Sequence, residues 1–108
     1  MEFQFMEPRI EGYPVDWCCE INWAGWCSDQ AHQLAADKYC QCMGFDRSIG
    51  WSHTEHDKNP EKRPKITVAY TELMNHKFVV KTNKGNSMPW KFVHNPGGAF
   101  AWITCIRD

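Results

Sequence analysis

The densest group of reactive side chains is "WSHTEHD", residues 51–57. His53 and His56, with Glu55 or Asp57, offer imidazole and carboxylate together. That set suits a divalent metal or a general acid–base pair. An H-x-x-H at a strand-to-loop transition does not fix ligand geometry, whereas the i, i+4 histidines of a helical H-E-x-x-H do. The plainer reading is the start of a solvated loop, and neither a metal nor a cofactor is expected. His32, His76 and His94 stand alone in sequence. Imidazole as a group suits general-base work near neutrality, but no neighbour marks one of them as a base. If the chain is an enzyme, the catalytic candidates are His53 with Glu55 or Asp57, and then His94.

The second group is the six cysteines, Cys18, Cys19, Cys27, Cys40, Cys42 and Cys105. An even number in a short chain favours disulfides and an oxidising compartment. Zinc would call for paired C-x2-C knuckles, and the sequence has none. Cys27 precedes a predicted helix, whose N-terminus favours a thiolate. Its place among six cysteines favours a bridge over a nucleophile. Cys40 and Cys42 lie two positions apart in that helix and diverge by about 200° around its axis. They must look in opposite directions.

Six tryptophans are the third signal. Six in 108 residues is more than a core of this size takes,. An exposed indole beside Asp, Asn or His can hold the apolar face of a sugar ring, with a polar rim for its hydroxyls. Trp23, Trp26 and Trp90 flank predicted turns and are expected to show a face. Trp51 joins them beside His53, and Trp102 is expected in the core.

These residues need a frame. The chain has the length of one domain, 1–108, with 43% hydrophobic and 23% charged residues,. "FQF" and "VDWCCEINW" read as short strands. "SDQAHQLAADKYCQCMG" switches to a helical period over about 29–43. Ser28 or Asp29 caps its start, and Gly44 ends it in a left-handed conformation. Apolar residues occupy so much of its circumference that it is expected to be covered, or tied by bridges, on two sides. "RSIGWSH" reads as a strand, and "EHDKNPEKRPK" as a polar loop. "ITVAYTEL" and "KFVVK" read as antiparallel strands joined by a turn near Asn75. "TNKGNS" is a turn, and "WKFVH" and "AFAWITCI" are strands. The expected fold is α+β, with one helix on a curled antiparallel sheet of about six strands.

The pattern C-x(7)-AAD-x-x-C-x-x-x-GF, followed by IGW and closed by F-x-x-ITC, resembles small secreted cysteine-rich domains of plants and bacteria. The residues that carry it are Ala35, Ala36, Asp37, Tyr39, Cys40, Gly44 and Phe45, then Phe100, Ile103, Thr104 and Cys105. A looser resemblance is to scavenger receptor cysteine-rich domains. Either implies a Cys40–Cys105 disulfide. The likeness covers mainly residues 27–53 and 93–105 and bears on fold and compartment rather than activity. The chain departs from it near His94 and Gly98, where the family carries two further cysteines, and at Cys42, which has no counterpart. With Cys40–Cys105 assumed, Cys18, Cys19, Cys27 and Cys42 pair in three ways. Adjacent residues of a strand face opposite sides, so Cys18 and Cys19 are expected to take different partners. Cys42 is expected to reach one of them.

Net charge is −1, which lacks the basic face that phosphate contacts require, so no nucleic-acid partner is expected. No apolar run approaches the roughly 20 residues of a membrane span. "MEFQFMEPRIEG" has neither the basic start nor the apolar stretch of a signal peptide. Either the chain is cytosolic or a leader has been removed, and the cysteines favour secretion. The reading that follows is a secreted, monomeric binding module for carbohydrate or another cell-wall or small-molecule ligand. Its ligand residues would be Trp23, Trp26, Trp51, Trp90 and His53. The alternatives are the small enzyme above, or a defence protein or protease inhibitor. The latter would act through "NPEKRPK" or "TNKGNS", with Lys58, Lys62 and Arg63 as baits.

Overall fold

The computed structural model describes residues 1–21, 25–53, 64–73, 78–94 and 96–108, with His53 described in its backbone only. In chain order these form β1 (Glu2–Met6), β2 (Arg9–Ile10), β3 (Tyr13–Pro14), α1 (Asp29–Cys42), β4 (Arg47–His53), β5 (Ile66–Tyr70), β6 (Phe78–Lys81), β7 (Ser87–His94) and β8 (Phe100–Ile106). One helix on antiparallel sheets is thus the architecture. The sheet itself differs from the expectation. The described residues form eight strands in three small sheets, ordered β1-β8-β4, β2-β3 and β5-β7-β6, instead of one curled sheet of about six strands.

Two departures have local causes. β5 and β6 are not neighbours, because β7 lies between them and pairs with both. The turn after Lys81 closes β6 directly onto β7, with Gly85 at φ 86° and Thr82 N–H bonded to Asn86 O,. That leaves the other edge of β7 for β5. The turn expected near Asn75 lies outside the described residues. Of "VDWCCEINW", residues 15–21 are described, and they make isolated bridges in place of a regular strand: Val15 to Val68, Asp16 to Ala99 and Glu20 to Thr71.

Helix α1 begins where the sequence suggests. Ser28 is its N-cap, its side chain accepting from Ala31 N at 3.1 Å,. Gly44 ends it at φ 90°,. Ala31, Ala35 and Ala36 are fully buried, and such short side chains let the helix axis close on β4 and β8. Asp37 ties it to the sheet, accepting from Ser48 N at 2.9 Å. The alternation of β1 and β8 turns Phe5, Ile103 and Cys105 toward the helix, where Phe5 meets Tyr39 and Phe45 edge-on,.

Cys40 is bonded to Cys105, the pairing implied by the family resemblance, and Cys18 to Cys27. The expected bridge from Cys42 to Cys18 or Cys19 is absent; Cys19 and Cys42 are buried free thiols. Geometry explains this. The Cys19 thiol donates to Ala31 O at 3.3 Å, in the first turn of α1. Cys42 lies at the far end, about 16 Å along the axis at 1.5 Å per residue. That exceeds the roughly 7 Å Cα separation a disulfide spans. Cys18 finds Cys27 nine residues away, leaving its neighbour without a partner.

Alkylation of the unreduced protein in denaturant should therefore label Cys19 and Cys42 only, and the native protein should resist labelling. Peptide mapping that finds Cys42 bridged would overturn the assignment. Cys40–Cys105 closes a separation of 65 residues, so the C40A/C105A double variant should lose about 4 kcal/mol of unfolding free energy in urea titration.

Candidate ligand-binding cleft

Residues 15–20 are the scaffold of the site. Asp16 N–H bonds to Val68 O at 2.8 Å and Glu20 N–H to Tyr70 O at 2.9 Å, so the segment runs parallel along the edge of β5. The Asp16 carboxylate is 1% exposed. One oxygen accepts from Cys18 N at 2.9 Å and the other from the Thr67 hydroxyl at 2.7 Å. The first of these bonds shapes the turn leading into Cys18. The disulfide then holds the loop that carries Trp26, and Cys19 N–H bonds to Trp26 O at 3.2 Å. His32 braces the segment from α1. Its ring stacks on Trp17 at 4.5 Å, and its Nδ1 lies 2.6 Å from Trp17 O. A carbonyl only accepts, so Nδ1 carries the proton.

Beyond this scaffold opens a cleft of about 440 Å³, lined by Cys19, Glu20, Ile21, Trp26 and the β7 residues Lys91, Phe92, Val93 and His94. Trp26 is 41% exposed, and Phe92 and His94 are exposed as well. Lys91 Nζ stands 3.2 Å from Glu20 Oε1 and 5.5 Å from the centroid of the Trp26 ring. The other oxygen of Glu20 accepts from the Thr71 hydroxyl at 3.0 Å. The cleft thus joins an indole face, a carboxylate, an ammonium and an imidazole. A smaller hollow, about 340 Å³ near the C-terminal end of α1, is lined mainly by polar side chains and contains no indole.

The cleft gathers two of the residues that sequence reasoning singled out, Trp26 and His94. It does not gather Trp90 or Trp51. Trp90 is fully buried, which corrects the expectation of an exposed face: the alternation along β7 turns Met88 and Trp90 inward, and Trp90 meets Tyr70 edge-on at 5.8 Å,. Trp51 is half-buried outside the cleft, donating from Nε1 to Gln33 Oε1 at 3.2 Å and packing edge-on against His32 and Phe100. Trp102 is partly buried in β8, against Gly50. Trp23, Glu55, His56 and Asp57 lie outside the described residues, and of His53 only its place at the end of β4 is described. Among the described residues, no group of three or more His, Cys, Asp or Glu side chains could hold a metal ion, and no hydrogen bond joins His94 to a carboxylate. Glu20 and Lys91 were not anticipated. The signal for them was weak: they are 71 residues apart and meet only because β5 lies between their strands, with Ala69 opposite Lys91.

No protein-family model, curated protein or solved structure matches the chain.

Burial shapes the electrostatics of the scaffold. It pushes the Asp16 carboxyl up from 3.8 to about 6, against the lowering effect of the Thr67 and Cys18 hydrogen bonds and of the nearby charges of His32 and Lys91,. Burial also pushes the Cys19 thiol up to about 12, so the cysteine in the cleft wall is not a thiolate nucleophile,. Tyr70, buried beside Glu72, is likewise raised to about 12.

The raised Asp16 has a consequence for stability. The folded state holds the proton more tightly than the unfolded chain, so its relative stability is greatest below pH 3.8 and falls as pH rises through about 6,. In D16N, the Thr67 hydroxyl can turn to accept from the new amide. The unfolding free energy of the wild type should therefore fall relative to D16N by on the order of 3 kcal/mol between pH 4 and pH 7. A difference that stays flat across that range would show Asp16 to be ionised throughout.

Proposed function

We propose that this chain is a secreted, disulfide-stapled module that binds carbohydrate in the Trp26–Glu20–Lys91–His94 cleft. The observation that carries the reading is the cleft itself. An exposed indole, fixed by a disulfide loop, shares a cleft of about 440 Å³ with three different polar groups. Sugar rings present apolar C–H faces and hydroxyl edges. An indole covers the first, and a carboxylate, ammonium and imidazole satisfy the second. Phe92, in T-shaped contact with Tyr13 and stacked on Phe78, extends the apolar surface beside it.

Secretion fits the two disulfides, which suit an oxidising compartment,. Among the described residues no helix is long and apolar enough to cross a membrane. The resemblance of α1 and β8 to the small secreted cysteine-rich domains of plants and bacteria points the same way. The acid–base reading has less support: the side chains of His53, Glu55 and Asp57 lie outside the described residues, and among the described residues no carboxylate is hydrogen-bonded to His94.

A glycan array followed by tryptophan-fluorescence titration tests the proposal. At least one oligosaccharide should perturb the emission saturably, and W26A should weaken that binding about tenfold or more. Binding that is unchanged in W26A would move the site elsewhere, and an array without a single ligand would sink the carbohydrate reading.

A further inference from the structure

The placement of Lys91 says more about the ligand. Its ammonium is bound within the cleft as a ligand would be, with a carboxylate on one side and an indole face on the other. Those are the groups that recognise organic cations in general, by charge-assisted hydrogen bonding and by cation–π attraction. Neither wall depends on Lys91 for its position. The Glu20 carboxylate is oriented by the Thr71 hydroxyl, and its backbone is held between Tyr70 and Glu72. Trp26 is held by Cys18–Cys27 and by the bond from Cys19 N–H. The walls are therefore preorganised for an ammonium, whichever ammonium arrives.

The local charge favours a cation too. Lys91 faces the Glu20 carboxylate and also lies close enough to the buried Asp16 carboxyl for its charge to act there. When Lys91 swings out to solvent, the cleft is left with uncompensated negative charge. Among the described residues Lys91 is held by a partly exposed ion pair and a partly exposed ring contact, 22% of its side chain being open to water. Interactions of that kind are weak, and a flexible four-carbon stem can move away at small cost.

We infer that the Glu20–Trp26 pair is an ammonium subsite occupied in the free protein by Lys91, and that the cleft takes a saccharide bearing a free amine, whose ammonium displaces Lys91. This rests on the carbohydrate reading and adds to it the class of sugar. Lys91 then acts as a built-in competitor that lowers affinity for the amino sugar.

The test compares oligomers of glucosamine with N-acetylglucosamine oligomers of the same length, which lack the ammonium. Binding is measured by isothermal calorimetry and tryptophan fluorescence near pH 6, with circular dichroism to confirm folding of each variant. The free-amine oligomer should bind the wild type more tightly than the acetylated one. Lys91→Ala should tighten it about tenfold further, because the competitor is gone, and should not tighten the acetylated oligomer, which has no ammonium to place there. E20Q should abolish the preference for the amine. Equal affinities, or a preference for the acetylated oligomer, would overturn the ammonium subsite while leaving a carbohydrate cleft in place. An amine preference that Lys91→Ala weakens would overturn displacement. Failure of both oligomers and of every array glycan would remove the carbohydrate reading and this inference together.

Discussion

The backbone of residues 15 and 16 joins the two three-stranded sheets, and a buried carboxylate fixes it there. Asp16 N–H bonds to Val68 O on β5, while Val15 O accepts from Phe100 N–H at the start of β8. One dipeptide thus bridges β5-β7-β6 to β1-β8-β4. The Asp16 side chain adds bonds to Thr67 and to Cys18 N. Removing an acceptor from such a site leaves buried donors unpaired, which costs more than the bonds contribute. The polar core at Asp16 therefore specifies how the sheets meet and where the Trp26 loop begins.

That specification has a cost near neutral pH, where Asp16 must be ionised in a dry site, and covalent staples offset it. Cys18–Cys27 closes a separation of nine residues, worth about 2.5 kcal/mol in loop entropy by the chain model. It acts on the segment that Asp16 organises. Cys40–Cys105 works elsewhere, tying the last turn of α1 to the end of β8. The two unpaired thiols behave as small apolar groups: both are buried and both are raised by desolvation,.

Local pattern made much of this fold readable before any coordinates. α1 shows its period, its Ser28 cap and its Gly44 stop within one stretch of sequence, and β4, β7 and β8 show apolar runs between turn residues. These signals depend on neighbours within a few positions, so they survive without tertiary knowledge. What pairs with what does not. The insertion of β7 between β5 and β6 depends on a contest between a local hairpin and a long-range partner. Trp90 looked like a site residue because it stands near a turn, yet a strand's alternation starts wherever its register dictates. Cys42 looked like a second staple because it opposes Cys40, and direction around a helix says nothing of distance along it.

The cleft illustrates the same division. Trp26 and His94 were visible because rare residue types advertise themselves near turns. Glu20 and Lys91 are ordinary charged residues that gain meaning only through a third strand. Lys91 lies opposite Ala69 across β7–β5, and Glu20 lies on the far side of β5. The small, fully buried Ala69 leaves room above the sheet for the lysine stem to cross. A bulkier outward side chain there would block the crossing and separate ammonium from carboxylate. The chemistry of the site thus depends on an alanine that contributes none of its own. For this reason a charged pair across a sheet is easier to recognise from the residue between its members than from the members themselves.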